Sequence, residues 1–213
     1  MAAKAHHKKY PRTRHLPWSP GASRDDLIAS SLDAFAEQRV IVTEKMDGEN
    51  TTLYRDHIHA RSLDSRHHPS RDWVKALHGG VAHHIPEAWR VCGENLYARH
   101  SIAYAGLPSY FMMFSIWDER DRCLDWDSTV EWAALLGLEL VPVLYDGVFD
   151  PAWFDGFEQD LERAEGYVVR LASSFLRADF GVSVAKWVRP GHVQTDQHWM
   201  HAEVVANGLA GGS

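Results

Sequence analysis

Seven short β-rich runs constrain this chain more than any other feature. They are Arg39–Glu44, Thr51–Arg55, His57–Arg61, Arg90–Leu96, Tyr110–Asp118, Gly166–Leu171 and Val182–Val188. Apolar and β-branched residues dominate them, and turn-forming residues such as Asp47-Gly48 punctuate them. Helical patterns fall between the runs without a regular βαβ rhythm, so an α+β fold is expected rather than a doubly wound one. Ser23 and Asp26 make a capping box ahead of a predicted helix from Arg24 to Glu37. Ser70 is the expected cap of a second helix through Trp73, Val74 and Leu77 to Gly79. Ser128 and Glu131 form another box ahead of Trp132–Leu136, closed by Gly137, and Pro151–Ala164 reads as a last helix weakened by Gly156.

With 213 residues, 45% hydrophobic and 24% charged, the chain has the make-up of a globular domain that buries about 70% of its unfolded surface. A single domain over residues 1–213 is expected. The longest apolar run, Tyr110–Trp117, is too short to span a bilayer, and residues 1–20 lack the apolar stretch of a signal peptide. Two cysteines, Cys92 and Cys123, fit reduced thiols in a cytoplasmic protein. The net charge of −7 hides an asymmetry. Residues 1–24 carry six basic side chains and no acidic one, whereas residues 119–165 carry thirteen acidic and three basic. The basic arm (1–22) reads as a solvated terminus, and the acidic stretch as a solvent face turned away from any polyanion. Of the fourteen histidines, His57/His59, His67/His68 and His83/His84 occur close together, but no Cys-x-x-Cys or His-Glu-x-x-His accompanies them, so solvated loop histidines are expected rather than a zinc site.

Chemistry concentrates in an ordered set of motifs. Thr43-Glu44-Lys45-Met46-Asp47-Gly48-Glu49-Asn50 puts a lysine directly after an apolar strand and before a tight turn. The strand fixes its stem, and the glycine lets a phosphate approach the backbone, which suits a lysine nucleophile. Cys92-Gly93-Glu94 sets a carboxylate at a strand end, and Phe111–Asp118 is an aromatic strand with a stacking face. Glu165-Gly166-Tyr167-Val168-Val169-Arg170 opens another strand with a carboxylate, and Lys186-Trp187 follows in a further one.

This set, from Val40 to Arg189, resembles the covalent lysine nucleotidyltransferases, and among them the ATP-dependent RNA ligases of the phage type that seal nicks in duplex RNA. The resemblance implies an α+β domain of mainly antiparallel sheets with flanking helices and a nucleotide pocket between the sheets. It implies a lysyl-AMP intermediate on Lys45, adenylylation of an RNA 5′-phosphate, and joining to a 3′-hydroxyl. Catalytic roles fall to Lys45, Asp47 and Lys186. ATP binding falls to Glu44 at the adenine amine, Asn50, Arg61, Glu94, Phe114 as the stacking aromatic, Glu165 and Lys186. Mg2+ or Mn2+ is expected on Glu165 and Glu94, partly through water, and a depressed Lys45 pKa is expected from desolvation, Lys186 and the metal. RNA contacts are expected from Arg66, Arg71 and Lys75, and an end-healing kinase or phosphatase is a conceivable partner. The pattern departs from the family in two places. The second lysine of the last motif is absent, so either Arg189 supplies the missing charge or the β- and γ-phosphates are held less firmly, and Phe114 is followed by Ser115 rather than aspartate. No OB-like domain is expected, and the tail 190–213 is expected to make a short helix or two. A DNA ligase, a GTP-dependent mRNA capping enzyme and a non-catalytic binding module remain the alternatives. Glu44 beside the lysine favours adenine, and the retained Lys45, Glu165 and Lys186 disfavour an idle module.

Overall fold

The computed structural model describes residues 7–63, 67–191 and 204–211. Two mostly antiparallel sheets face one another. The first, in spatial order, contains β1 (Arg14–His15), β12 (Val184–Val188), β10 (Gly166–Leu171), β2 (Arg39–Glu44) and β9 (Val143–Val148). The second contains β11 (Phe175–Leu176), β7 (Arg122–Cys123), β6 (Phe111–Trp117), β5 (Arg90–Asn95), β3 (Glu49–Tyr54) and β4 (Ile58–Ala60), with β8 (Glu139–Leu140) parallel to β6. Helix α1 (Asp72–Val81) and α2 (Trp126–Leu136) pack on the outer face of the second sheet; α3 (Pro151–Gly156) lies on the first, and the single turn α4 (Phe180–Ser183) leads into β12. Period-two alternation sorts the strands. Val40 and Val42 join the outer cluster with Phe35 and Phe154, while Ile41 joins the cluster between the sheets with Leu96 and Met112. All three β2 residues are fully buried, worth about 1.5–3 kcal/mol each.

The helices depart from expectation more than the strands. The predicted helix Arg24–Glu37 does not form. Its capping contacts do: Ser23 N and Oγ both donate to Asp26 Oδ2, at 3.0 and 2.8 Å. The residues that follow, however, are recruited as an extended edge beside β1, where His15 N donates to Leu27 O and Ala29 N to His15 O. Only a 3-10 turn, Asp33–Phe35, remains. Tertiary pairing has overridden periodicity. Helix α2 starts earlier than expected, because Asp125 rather than Ser128 caps it, accepting from Ser128 N at 2.8 Å. Helix α3 stops at Gly156, well short of Ala164. Helix α1 is preceded by a 3-10 turn, Pro69–Arg71, capped by His68 rather than Ser70.

Both termini also differ from expectation. The basic arm is packed from His7 onward: Tyr10 inserts its ring among Phe114, Trp117 and Phe180, and β1 runs parallel to β12. The described part of the tail, 204–211, is extended rather than helical, bridging Ala206 to Ala98 and Leu209 to Leu107. Residues 192–203 of that tail lie outside the described residues.

Candidate active site

The Asp47-Gly48 turn is not a hairpin. It carries the chain from β2 in one sheet to β3 in the other, so Lys45 sits at the crossing. Gly48 is needed there by close approach, since a Cβ would stand 2.5 Å from Asn95 O. Register does the rest. Glu44 pairs with Tyr167, Lys45 N donates to Gly166 O at 2.8 Å, and Lys45 Nζ reaches Glu165 Oε2 at 2.5 Å. Gly166 has φ of 153°, and a Cβ on it would lie 2.0 Å from Trp187 O, so glycine lets β10 and β12 close beside that glutamate. Across the cleft Asn50 pairs with Glu94, and on the first sheet Lys186 pairs with Val168 and with His15.

The charges in this cleft perturb one another. Glu165 is 2% exposed and Lys45 keeps 23% of its side chain exposed. Burial alone would lower the Lys45 pKa, but Glu165, Glu94 and Asp47 outweigh it, and the pKa is raised. The expected depression is therefore reversed, and these carboxylates favour the ammonium form of the lysine. Burial, with Glu165 and Asp47 adding to it against the pull of Lys45, pushes Glu94 up to about 8. Lys186 moves the other way, down to about 8, through burial and then the repulsion of Lys45.

The remaining expected residues scatter around this centre. Glu44 is half-buried with a pKa raised by burial, and its charge is felt at Tyr104. Arg61 is exposed, and its charge is felt at Lys186. Phe114 is a one-residue bulge in β6: Cys92 pairs with Ser115 and Gly93 with Met113, leaving Phe114 out of register and half-buried, with Tyr10 edge-on at 5.2 Å. Asp47 is buried and spends Oδ2 on Ser101 N, Ser101 Oγ and Ile102 N, at 2.7–2.8 Å. Arg189 donates to Leu161 O at 2.8 Å and reaches Ser101 Oγ at 3.3 Å, which ties it to the Asp47 network. Arg71 grips Glu49 through two nitrogens, Lys75 lies 3.7 Å from Asp72, and Arg66 lies outside the described residues. Arg71, Lys75 and His67 line a cavity of about 120 Å³ with Thr51, Ile58 and Val74.

A divalent cation fits the donor set. Glu94 and Glu165 are hard oxygen ligands, and the buried Oδ1 of Asn50, paired with Glu94 in the ladder, has no hydrogen-bond partner. Among the described residues no group of three or more His, Cys, Asp or Glu side chains is disposed to hold a metal ion alone. An ion here would share its ligands with water and substrate phosphates, as Mg2+ commonly does.

Sequence reasoning missed the supports of the site. Tyr104 Oη accepts from Asp47 N at 2.9 Å. Asn207 Oδ1 accepts from Tyr104 N at 3.0 Å, and its Nδ2 donates to Leu96 O at 2.8 Å. Behind Lys186, Ser19 Oγ accepts from Val188 N and meets His15 Nδ1 at 2.9 Å, while His15 Nε2 lies 3.7 Å from Asp26 Oδ2. None of these residues sits in a motif; only long-range contacts reveal them.

Two facing, mostly antiparallel sheets, a strand-end lysine at their crossing and two glutamates whose charges act on it make a lysine-centred cleft. The chain belongs to the RNA ligase family, to which residues 38–188 match. No curated protein matches it. Among solved structures it is similar to Naegleria gruberi RNA ligase with PPi, at 20% identity and TM-score 0.53, covering 85% of this chain and 56% of that one. A mutant of the same ligase with AMP and Mn gives 18% identity and TM-score 0.51, covering 75% of this chain and 52% of that one. The chain thus spans about half the length of these proteins, and the likeness shows the shared α+β fold.

Proposed function

We propose that this protein is an ATP-dependent RNA ligase with Lys45 as its nucleophile. The observation that carries the reading is Lys45 Nζ held 2.5 Å from the buried Glu165, in a family whose members join RNA. Lys45 Nζ, once deprotonated, attacks the α-phosphorus of ATP. A P–N bond forms, the α–β phosphoanhydride breaks, and pyrophosphate leaves. Glu165 touches the Nζ–H and holds the proton until then. A divalent cation at Glu94 and Glu165 would neutralise those carboxylates and the phosphate oxygens, which favours release of that proton. Lys186 stabilises the charge growing on the phosphate. Phe114 stacks on adenine, Glu44 accepts from its amine, and Asn50 and Arg61 contact the nucleotide. An RNA 5′-phosphate oxygen then takes the AMP from Lys45, and a 3′-hydroxyl displaces AMP to seal the strand.

The RNA face takes in Arg61, Arg71 and Lys75, the last two lining the cavity at the start of α1, and Arg66 joins them as a candidate on its sequence alone. Such a ligase needs 5′-phosphate and 3′-hydroxyl ends, which a kinase and a phosphatase would supply where RNA cleavage leaves other ends. Both cysteines are free and buried, which supports a reducing, cytoplasmic setting. Among the described residues no helix is long and apolar enough to cross a membrane. Incubation with α-labelled ATP or GTP and Mg2+ tests the reading. A labelled band from ATP, acid-labile and absent in Lys45→Arg, is expected. Equal labelling by GTP would instead mark a capping-type enzyme, and no band at all would remove the proposal.

A further inference from the structure

The face of the first sheet opposite the lysine carries a second cavity, of about 360 Å³. Tyr167 and Trp187 are cross-strand partners, and their rings lie parallel within 2°, centroids 5.5 Å apart, forming its floor. Phe157 stands at 85° to Tyr167 as one wall, itself backed by Trp153 at 4.5 Å. Trp18 makes a second wall; it is 42% exposed and donates its indole N–H to Tyr167 Oη at 3.0 Å. The fourth side is polar. Gln159 donates to Gly166 O at 3.2 Å, which leaves its buried Oε1 without a partner, and Glu158 is an exposed carboxylate at the lip.

Three features select what this box takes. Aromatic faces meeting at right angles favour a cation. The indole donor of Trp18 is already spent, so the polar atoms left on the fourth side, Gln159 Oε1 and the Glu158 carboxylate, are acceptors and call for N–H donors. Finally, residues 150–162 carry five acidic side chains and no basic one, a field that repels phosphate. The nearby cations are engaged elsewhere: Arg163 lies 3.7 Å from Asp160, and Arg189 bonds Leu161 O. A planar guanidinium meets all three conditions, because it stacks on tryptophan and tyrosine while its edge donates to a carboxylate and an amide oxygen. A quaternary ammonium lacks the donors, and a nucleobase arrives with its phosphate.

We infer that this aromatic cavity is a docking site for an arginine side chain of a basic peptide segment in a partner protein. The inference does not depend on the ligase reading, since it uses the opposite face of the sheet. The full chain is titrated, at about 0.15 M salt, into a fluorescein-labelled Gly-Arg-Gly-Arg-Gly peptide, followed by anisotropy. The twin with citrulline, which keeps the shape and loses the charge, serves as comparison. The arginine peptide should bind roughly tenfold tighter than its twin. Glu158→Gln should weaken binding roughly fivefold, whereas Glu131→Gln, an exposed carboxylate on α2, should change it less than about twofold. Trp187→Leu should abolish it; because that ring is part of the sheet's packing, Trp18→Leu, at the exposed wall, is the second aromatic test. Equal binding of the citrulline twin, indifference to Glu158→Gln, no measurable binding, or displacement of the peptide by a single-stranded hexanucleotide would each overturn the proposal, the last in favour of a base-stacking pocket.

Discussion

The two lysines of the cleft share a burial cost but not a neighbourhood. Lys45, at the end of β2, meets Glu165, Glu94 and Asp47, and its ammonium is stabilised. Lys186, on β12, is flanked in the ladder by His15 and Val168, and its nearest strong influence is Lys45 itself. One is held charged, and the other sits at the edge of losing its proton near pH 8. Two identical side chains are thereby pushed in opposite directions. In the proposed mechanism Lys45 is then held as an ammonium by its carboxylates until ATP arrives, while Lys186 supplies charge only over a limited pH range.

The sharpest way to break that comparison is to keep the charge at position 45 while removing its nucleophilicity. Lys45→Arg should lose the covalent adduct by at least roughly a thousandfold, about 4 kcal/mol of barrier. Its melting point should stay near that of the parent chain. Lys45→Ala should lose the adduct equally but also stability, because it strands Glu165, 2% exposed, without its ion-pair partner. Labelling that persists in Lys45→Arg would show that the nucleophile lies elsewhere.

Glu165→Gln tests the carboxylate side of the same pair. It should slow adduct formation by roughly a hundredfold, with partial recovery at raised Mn2+. The reading also makes a pH claim. With its strongest raising neighbour neutralised, Lys45 titrates lower, so the residual activity should hold to lower pH than in the parent chain. A mutant with parental rates at ordinary Mg2+ would reduce Glu165 to a structural residue.

Lys186 gives a smaller effect with a defined sign. Its pKa is lowered, so the charged, phosphate-binding form is present below about 8 and declines above it. The KM for ATP should therefore rise with pH across that range, by up to roughly tenfold, and Lys186→Arg should flatten the rise, since a guanidinium does not titrate there. Parallel pH profiles for the two proteins would mean that some other cation holds the phosphates, Arg189 being the nearest alternative.

What was legible in the sequence follows from how local each signal is. Strand runs such as Arg39–Glu44 and Gly166–Leu171 are recovered to the residue, because alternation and β-branching are read within six residues. The edge strand Val143–Val148 carries a glycine and an aspartate and gave no such pattern. The helix expected at Arg24–Glu37 failed because its periodicity is real but His15, an unremarked residue of the basic arm, captures Leu27–Ala29 as an edge. Within the site, motif residues were visible because chemistry dictates their type. Their electrostatics were not: the sign of the Lys45 shift depends on Glu165, 120 positions away, approaching to 2.5 Å.

The smallest predicted effect concerns a residue that never touches the cleft. Asn207 ties the loop that carries Ser101 and Tyr104: its side chain accepts from Tyr104 N and donates to Leu96 O, while Tyr110 Oη donates to its backbone carbonyl at 2.8 Å. That loop in turn gives Asp47 all three hydrogen bonds to Oδ2, two residues from Lys45. Asn207→Ala leaves Tyr104 N unpaired, at a cost of about 1–3 kcal/mol. If the loop only stabilises the fold, the melting point drops and the adduct rate at permissive temperature is unchanged. If it positions the nucleophile, kcat for adduct formation falls roughly three- to tenfold while KM for ATP holds. Asn207→Asp, which restores the acceptor for Tyr104 N but not the donor to Leu96, should then recover part of kcat. The kcat/KM split, not the melting point, decides whether this distant asparagine belongs to the machinery that holds Lys45 in place.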